Sequence, residues 1–130
     1  MEFFREVKVA CSSDALQRAL TIATLPRFCG EISKVLKDGG EAGEIYCLWG
    51  SFTVRRELIR NGVRFTLPGC PNALAWTVTC EADPGGSRVV VHCTINQPNH
   101  DADFIESIES FVEAWKRGLE MLDARISTAE

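Results

Sequence analysis

From Asp101 to Ile126 the large apolar residues fall at Phe104, Ile108, Phe111, Trp115, Leu119, Leu122 and Ile126. Steps of three and four keep them on one face of a 3.6-residue period, so the pattern predicts one long amphipathic helix with a ring-rich stripe. Asp103-x-x-Glu106 has the spacing of a capping box, with Asp103 as the cap. Glu113 with Arg117 and Lys116 with Glu120 stand four apart, as solvent-face pairs do. A stripe this wide needs a broad apolar partner, and only the upstream segments can supply one.

Those segments alternate as strands. Phe3 to Cys11 places Phe3, Val7, Val9 and Cys11 on one side, with Glu6 and Lys8 on the other. Ser12 or Ser13 can cap a short helix from Asp14 to about Thr21, and Leu25-Pro26 starts a second helical turn ending near Gly30. Strands follow at Glu31–Lys37, Glu44–Trp49 and Phe52–Ile59, with a bend or bulge expected at Gly50-Ser51. Asn61-Gly62 between alternating runs signals a hairpin that sets Leu58 opposite Phe65 and Arg56 opposite Leu67. Asp83-Pro84-Gly85-Gly86 signals another, joining Ala73–Cys80 to Arg88–Ile95. Pairing Ala82 with Ser87 sets Cys80 against Val89, Val78 against Val91, Trp76 against Cys93 and Leu74 against Ile95. That register puts every large apolar residue on one face and leaves Thr77, Thr79, Arg88 and His92 on the other.

The order predicts an α+β domain spanning residues 1–130. A curved antiparallel sheet of about seven strands wraps a long C-terminal helix, with two short helices after the first strand. This arrangement resembles the START-like superfamily, also called SRPBCC or helix-grip and typified by birch pollen allergen. The resemblance runs through FFREVKVACSSDALQRALT as opening strand and helix and LPRFCGEISKVLKDGG as second helix and strand. ALAWTVTCEADPGGSRVVVHCTI stands as the closing hairpin and SFVEAWKRGLEMLDARI as the end of the final helix. It implies a cavity between sheet and helix, which many members use for lipids, polyketides, sterols or other apolar molecules.

The inward parity of each element names the residues that would line such a site. Phe52, Leu58 and Phe65 come from the middle hairpin, Trp76, Val78, Val91 and Cys93 from the last one. Ile108, Phe111, Trp115 and Leu119 come from the helix. Apolar walls with few polar groups suit a small-molecule pocket, although the same stripe also suits a solid core. Arg56 shares the inward face, where a guanidinium must find a carboxylate, reach water or hold a ligand's acidic or carbonyl group. Arg5 on the first strand poses the same question.

Composition narrows the partners. The chain has 130 residues, 45% apolar and 25% charged, with a net charge of −4, which argues against the basic stripe that nucleic acid requires. No run approaches the roughly 18 to 20 apolar residues of a membrane span. Met1 to Cys11 carries Glu2 and Glu6 and lacks an apolar signal core, so a cytoplasmic location is expected. Cys11, Cys29, Cys47, Cys70, Cys80 and Cys93 contain no C-x-x-C pair. Reduced core cysteines are expected over disulfides, and no metal or cofactor site is predicted. His92 falls on the outer face and His100 in a loop, and no Ser–His–Asp spacing is present. Arg55 and Arg64 beside Glu57 read as a solvated face.

The leading expectation is therefore binding of a small apolar or amphipathic molecule. The resemblance also allows an enzyme of the polyketide cyclase or dehydratase kind, in which an Arg or Tyr polarises a carbonyl; Tyr46 is the one tyrosine, with doubtful parity. It further allows a co-chaperone like the activator of the heat-shock ATPase, acting through its surface. A homodimer or a protein partner stays open.

Overall fold

The computed structural model describes residues 1–96 and 101–121. The strands are β1 (Glu2–Val7), β2 (Ile32–Asp38), β3 (Ala42–Cys47), β4 (Gly50–Ile59), β5 (Gly62–Thr66), β6 (Ala75–Asp83) and β7 (Gly86–Thr94). The helices are α1 (Ser13–Ala19), α2 (Leu25–Phe28) and α3 (Ala102–Met121), with a 3-10 turn at Ile22–Thr24. All seven strands form one antiparallel sheet in the order β1-β7-β6-β5-β4-β3-β2. The architecture is the expected one. Loop 97–100 with His100, and Leu122 and Ile126 of the helical stripe, lie outside the described residues.

Local chemistry fixes each element. Ser12 caps α1 by accepting from the Ala15 amide at 3.0 Å. The 3-10 turn closes with Thr21 and Thr24 as a reciprocal box, and Pro26 sits in the first turn of α2, where its missing N–H costs nothing. The cap of α3 is Asp101, whose Oδ1 accepts from the Phe104 amide at 2.8 Å. Asp103 was the expected cap; the helix starts one residue after Asp101, so Asp103 already lies in its first turn.

The β6–β7 register is the one expected, with Ala82 opposite Ser87, Cys80 opposite Val89, Val78 opposite Val91 and Trp76 opposite Cys93. The β4–β5 hairpin differs. Ile59 pairs with Gly62, so the turn is Arg60-Asn61, Leu58 faces Val63 and Arg56 faces Phe65. Gly62 serves close approach rather than turn chirality, because a Cβ there would collide with the Val78 carbonyl on β6. At β3–β4 the expected bend is a tight hairpin. Leu48-Trp49 forms the loop and Gly50 closes it at φ +111°, in the left-handed region.

The inner face of the sheet and the stripe of α3 bury each other. Ile108, Phe111, Val112, Trp115 and Leu119 are all at most 1% exposed. Each fully buried large side chain stabilises by about 2 kcal/mol. The ion pairs from Arg5 on β1 to Glu109 and Glu113 on α3, both 2.9 Å and partly exposed, add less than about 1 kcal/mol each. The stripe therefore holds α3 in place, and Arg5 ties its edge to β1. Arg5 takes Glu113 instead of the expected Arg117, and its hydrogen bond holds the Glu113 carboxyl below the ordinary 4.5. The Lys116–Glu120 pair forms as expected, at 3.3 Å.

Two constraints join distant parts of the chain. Cys11, just before α1, is bonded to Cys80 on β6, 69 residues away, whereas both were expected as free thiols. Scattered cysteines give no sequence signal for such a pairing; it follows from residues 9–11 running along the β6–β7 hairpin, where Ser87 Oγ accepts from the Cys11 amide and donates to the Val9 carbonyl. On the opposite side Gly118 of α3 lies so close to α2 that a Cβ would strike the Phe28 carbonyl.

Reducing Cys11–Cys80 should lower stability by about 2 to 4 kcal/mol, the usual contribution of a native disulfide. The urea midpoint with and without dithiothreitol checks this, and an unchanged midpoint would contradict it. Gly118→Ala should lower the melting temperature despite the roughly 1 kcal/mol helix-propensity gain, because α2 must be pushed off α3 at a cost of about 1 to 3 kcal/mol. A raised melting temperature would show that the contact is looser than described.

Candidate functional site

The interior between sheet and α3 is an aromatic cluster built from three elements, β5, β6 and α3. Phe65 on β5 stacks near Trp76 on β6, with centroids 5.4 Å apart. Trp76 meets Phe111 edge-on at 5.0 Å and Trp115 at 6.2 Å, while Phe65 and Trp115 lie 6.4 Å apart. These spacings are those of rings in contact. Val78, Val91 and Cys93 pave the sheet beneath, and Ile108 and Leu119 extend the helix side.

Nine of the twelve anticipated lining residues thus come together in the interior: Phe65, Trp76, Val78, Val91, Cys93, Ile108, Phe111, Trp115 and Leu119. Phe52 is half-buried, opposite the fully buried Ile45, and packs at the margin of this core. Leu58 does not belong to it. It has the right parity but is 59% exposed, since α1 packs over β5 and β6 and leaves the tip of β4 uncovered.

Arg56 is engaged by the fold. Its Nε donates to the Leu20 carbonyl at 2.7 Å and its Nη2 to the Gln17 carbonyl, so the guanidinium satisfies the C-terminal end of α1. In return Gln17 Nε2 donates to the Ile59 and Gly62 carbonyls at 2.9 and 3.2 Å, clamping the helix to the β4–β5 hairpin. Partial burial pulls the Arg56 pKa down from its ordinary value. Tyr46 points outward on β3 and is 45% exposed. His92 lies on the outer face between Glu2, 2.9 Å from its Nε2, and the stacked ring of Phe4.

Three features escaped sequence reasoning. Trp49, set on the β3–β4 turn by Gly50, lays its ring 5.0 Å from Phe111 and 6.4 Å from Phe104. Its indole N–H donates to Ser107 Oγ at 2.8 Å, closing the interior at the N-terminal end of α3. A tryptophan directly before a turn glycine was the available signal. Second, a surface groove of about 330 Å³ runs between α2 and α3, lined by Pro26, Arg27, Glu31, Ala114, Arg117 and Gly118. This groove opens on the surface, and the space under α3, anticipated as a cavity, holds the ring cluster.

Third, the indole N–H groups of Trp76 and Trp115 are buried and have no acceptor among the described residues. Each such donor costs about 1 to 3 kcal/mol relative to one that is paired. The interior thiols do not help. Burial pushes Cys29 and Cys93 up to about 12, so both stay protonated and inert. Among the described residues no group of three or more His, Cys, Asp or Glu is placed to hold a metal ion, and no helix is long and apolar enough to cross a membrane.

No protein-family model matches the sequence, and no curated protein matches it. Its fold does recur among solved structures. A START superfamily protein from Mycobacterium smegmatis superposes with a TM-score of 0.67 at 12% identity, over 99% of both chains. The protein XoxI from Bacillus cereus gives 0.67 at 13%, covering 98% of this chain and 96% of its own. Ara h 8.0201 gives 0.61 at 13%, covering 95% and 97%. At these identities the likeness establishes the fold, which is START-like, or SRPBCC.

Arg56→Met keeps the length of the side chain but strands the Gln17 and Leu20 carbonyls, and should cost about 1 to 3 kcal/mol of stability. Urea denaturation measures it; an unaltered midpoint would mean that the guanidinium is free for another role.

Proposed function

We propose that the protein binds a small apolar or amphipathic molecule between the sheet and α3, within its START-like fold. The observation that carries this reading is the aromatic cluster, four rings from β5, β6 and α3 facing one another with no charged side chain among them. Flat, apolar surfaces of this kind hold ring-bearing or chain-like ligands through burial and stacking. The nine interior residues supply the walls, and Phe52 the margin.

Entry requires the rings to part. The element best suited to yield is α2, a single turn of four residues, which touches α3 across the bare Gly118 and borders the groove at Arg27 and Arg117. An element of one turn has few hydrogen bonds of its own to break, which suits it to local opening. Arg56 and Tyr46, the groups an enzymatic role in carbonyl polarisation would draw on, face the α1 terminus and the outside. Binding is thus the reading the geometry supports best.

Native mass spectrometry of freshly purified protein should show a noncovalent adduct that disappears on denaturation. Stripped protein should then bind naphthalene derivatives saturably at one site, with a change in tryptophan emission. Bare protein combined with no saturable naphthalene binding would overturn the proposal.

A further inference from the structure

The three tryptophans divide in a way that burial alone does not explain. Trp49 finds an acceptor in Ser107, although it sits at the half-exposed margin. Trp76 and Trp115, at 1% and 0% exposure, find none among the described residues. Phe65 and Phe111 fill the same cluster with rings that carry no donor. Two buried donors, on rings 6.2 Å apart, are thus a latent polar feature in an otherwise apolar site.

Resting on the reading of this interior as a binding site, we infer that the molecule it takes is a neutral carbonyl compound with a flat apolar body, whose oxygen accepts from the indole N–H groups of Trp76 and Trp115. A carbonyl oxygen has two lone pairs and serves one donor or both. A carboxylate is disfavoured by charge. Burying an anion requires a cation or several strong donors, and the two inward-facing arginines are committed elsewhere. Arg56 holds the carbonyls of α1, and Arg5 bridges Glu109 and Glu113. The thiol of Cys93, opposite Trp76, is protonated and makes no hydrogen bond to either indole. The body of the ligand would lie against Phe65, which neighbours both tryptophans, and Phe111, which meets Trp76 edge-on.

Three probes of matched shape test this: 2-acetonaphthone, 2-isopropylnaphthalene and 2-naphthoate. In proton–nitrogen spectra the protein gives three indole signals, and that of Trp49, already bonded to Ser107, serves as the internal reference. The ketone should move the Trp76 or Trp115 signal, or both, downfield, while the hydrocarbon leaves their hydrogen-bonding state unchanged. Trp76→Phe or Trp115→Phe should reduce the ratio of ketone to hydrocarbon affinity about tenfold, the usual effect of one hydrogen bond. Should either variant fail to fold, the indole shifts of the unaltered protein decide alone. Equal binding of ketone and hydrocarbon with unmoved indole signals overturns the inference and leaves the binding reading intact. Naphthoate binding as tightly as the ketone overturns the neutral class. Binding of none of the three, by a protein that also carries no co-purified adduct, overturns the binding reading itself.

Discussion

A seven-stranded antiparallel sheet with one apolar face is stable only if that face is covered, and here α3 is its principal cover. Everything else follows from that contact. The sheet meets α3 along β1 and β7 and through the rings of Phe65 on β5 and Trp76 on β6. β1 sits at one edge, where Arg5 can hold Glu109 and Glu113. The short helices α1 and α2 fill what α3 leaves open. The contact is made of rings, so the centre of the molecule is an aromatic surface rather than an aliphatic one.

That choice has a cost. Two of the rings bring N–H groups into a place without acceptors, and the fold tolerates both. The same molecule takes care elsewhere over polar groups. Arg56 and Gln17 exchange four hydrogen bonds with backbone carbonyls across the α1–hairpin junction. Ser12, Thr24 and Asp101 each close a helical terminus. Against that thoroughness the unpaired indoles stand out, and they lie in the cluster that the fold surrounds.

The fold was legible in the sequence where two periodicities agreed. The β6–β7 register could be read because both strands alternate and only one pairing buries Trp76, Val78, Val91 and Cys93 together. The stripe of α3 was legible for the same reason at a 3.6-residue period. Errors arose where one residue type serves two physical ends. Gly62 was read as a turn glycine, but its close approach to Val78 demands it, and the hairpin turn moves back to Arg60-Asn61. Parity placed Leu58 and Arg56 inward, yet parity cannot say how far a neighbouring helix extends. α1 stops short of Leu58 and spends Arg56 on its own carbonyls. The Cys11–Cys80 bond and the Gly118–Phe28 approach join segments 69 and 90 residues apart, and no local pattern encodes such meetings.

The central claim is that the ring cluster under α3 opens to a ligand rather than serving only as packing. Intermolecular nuclear Overhauser effects between bound 2-acetonaphthone and the protein test it most directly. The account predicts contacts from the naphthalene protons to the rings of Phe65, Trp76, Phe111 and Trp115. Contacts confined to surface residues such as Arg27, Arg117 or Thr77, with none to those four rings, would contradict it.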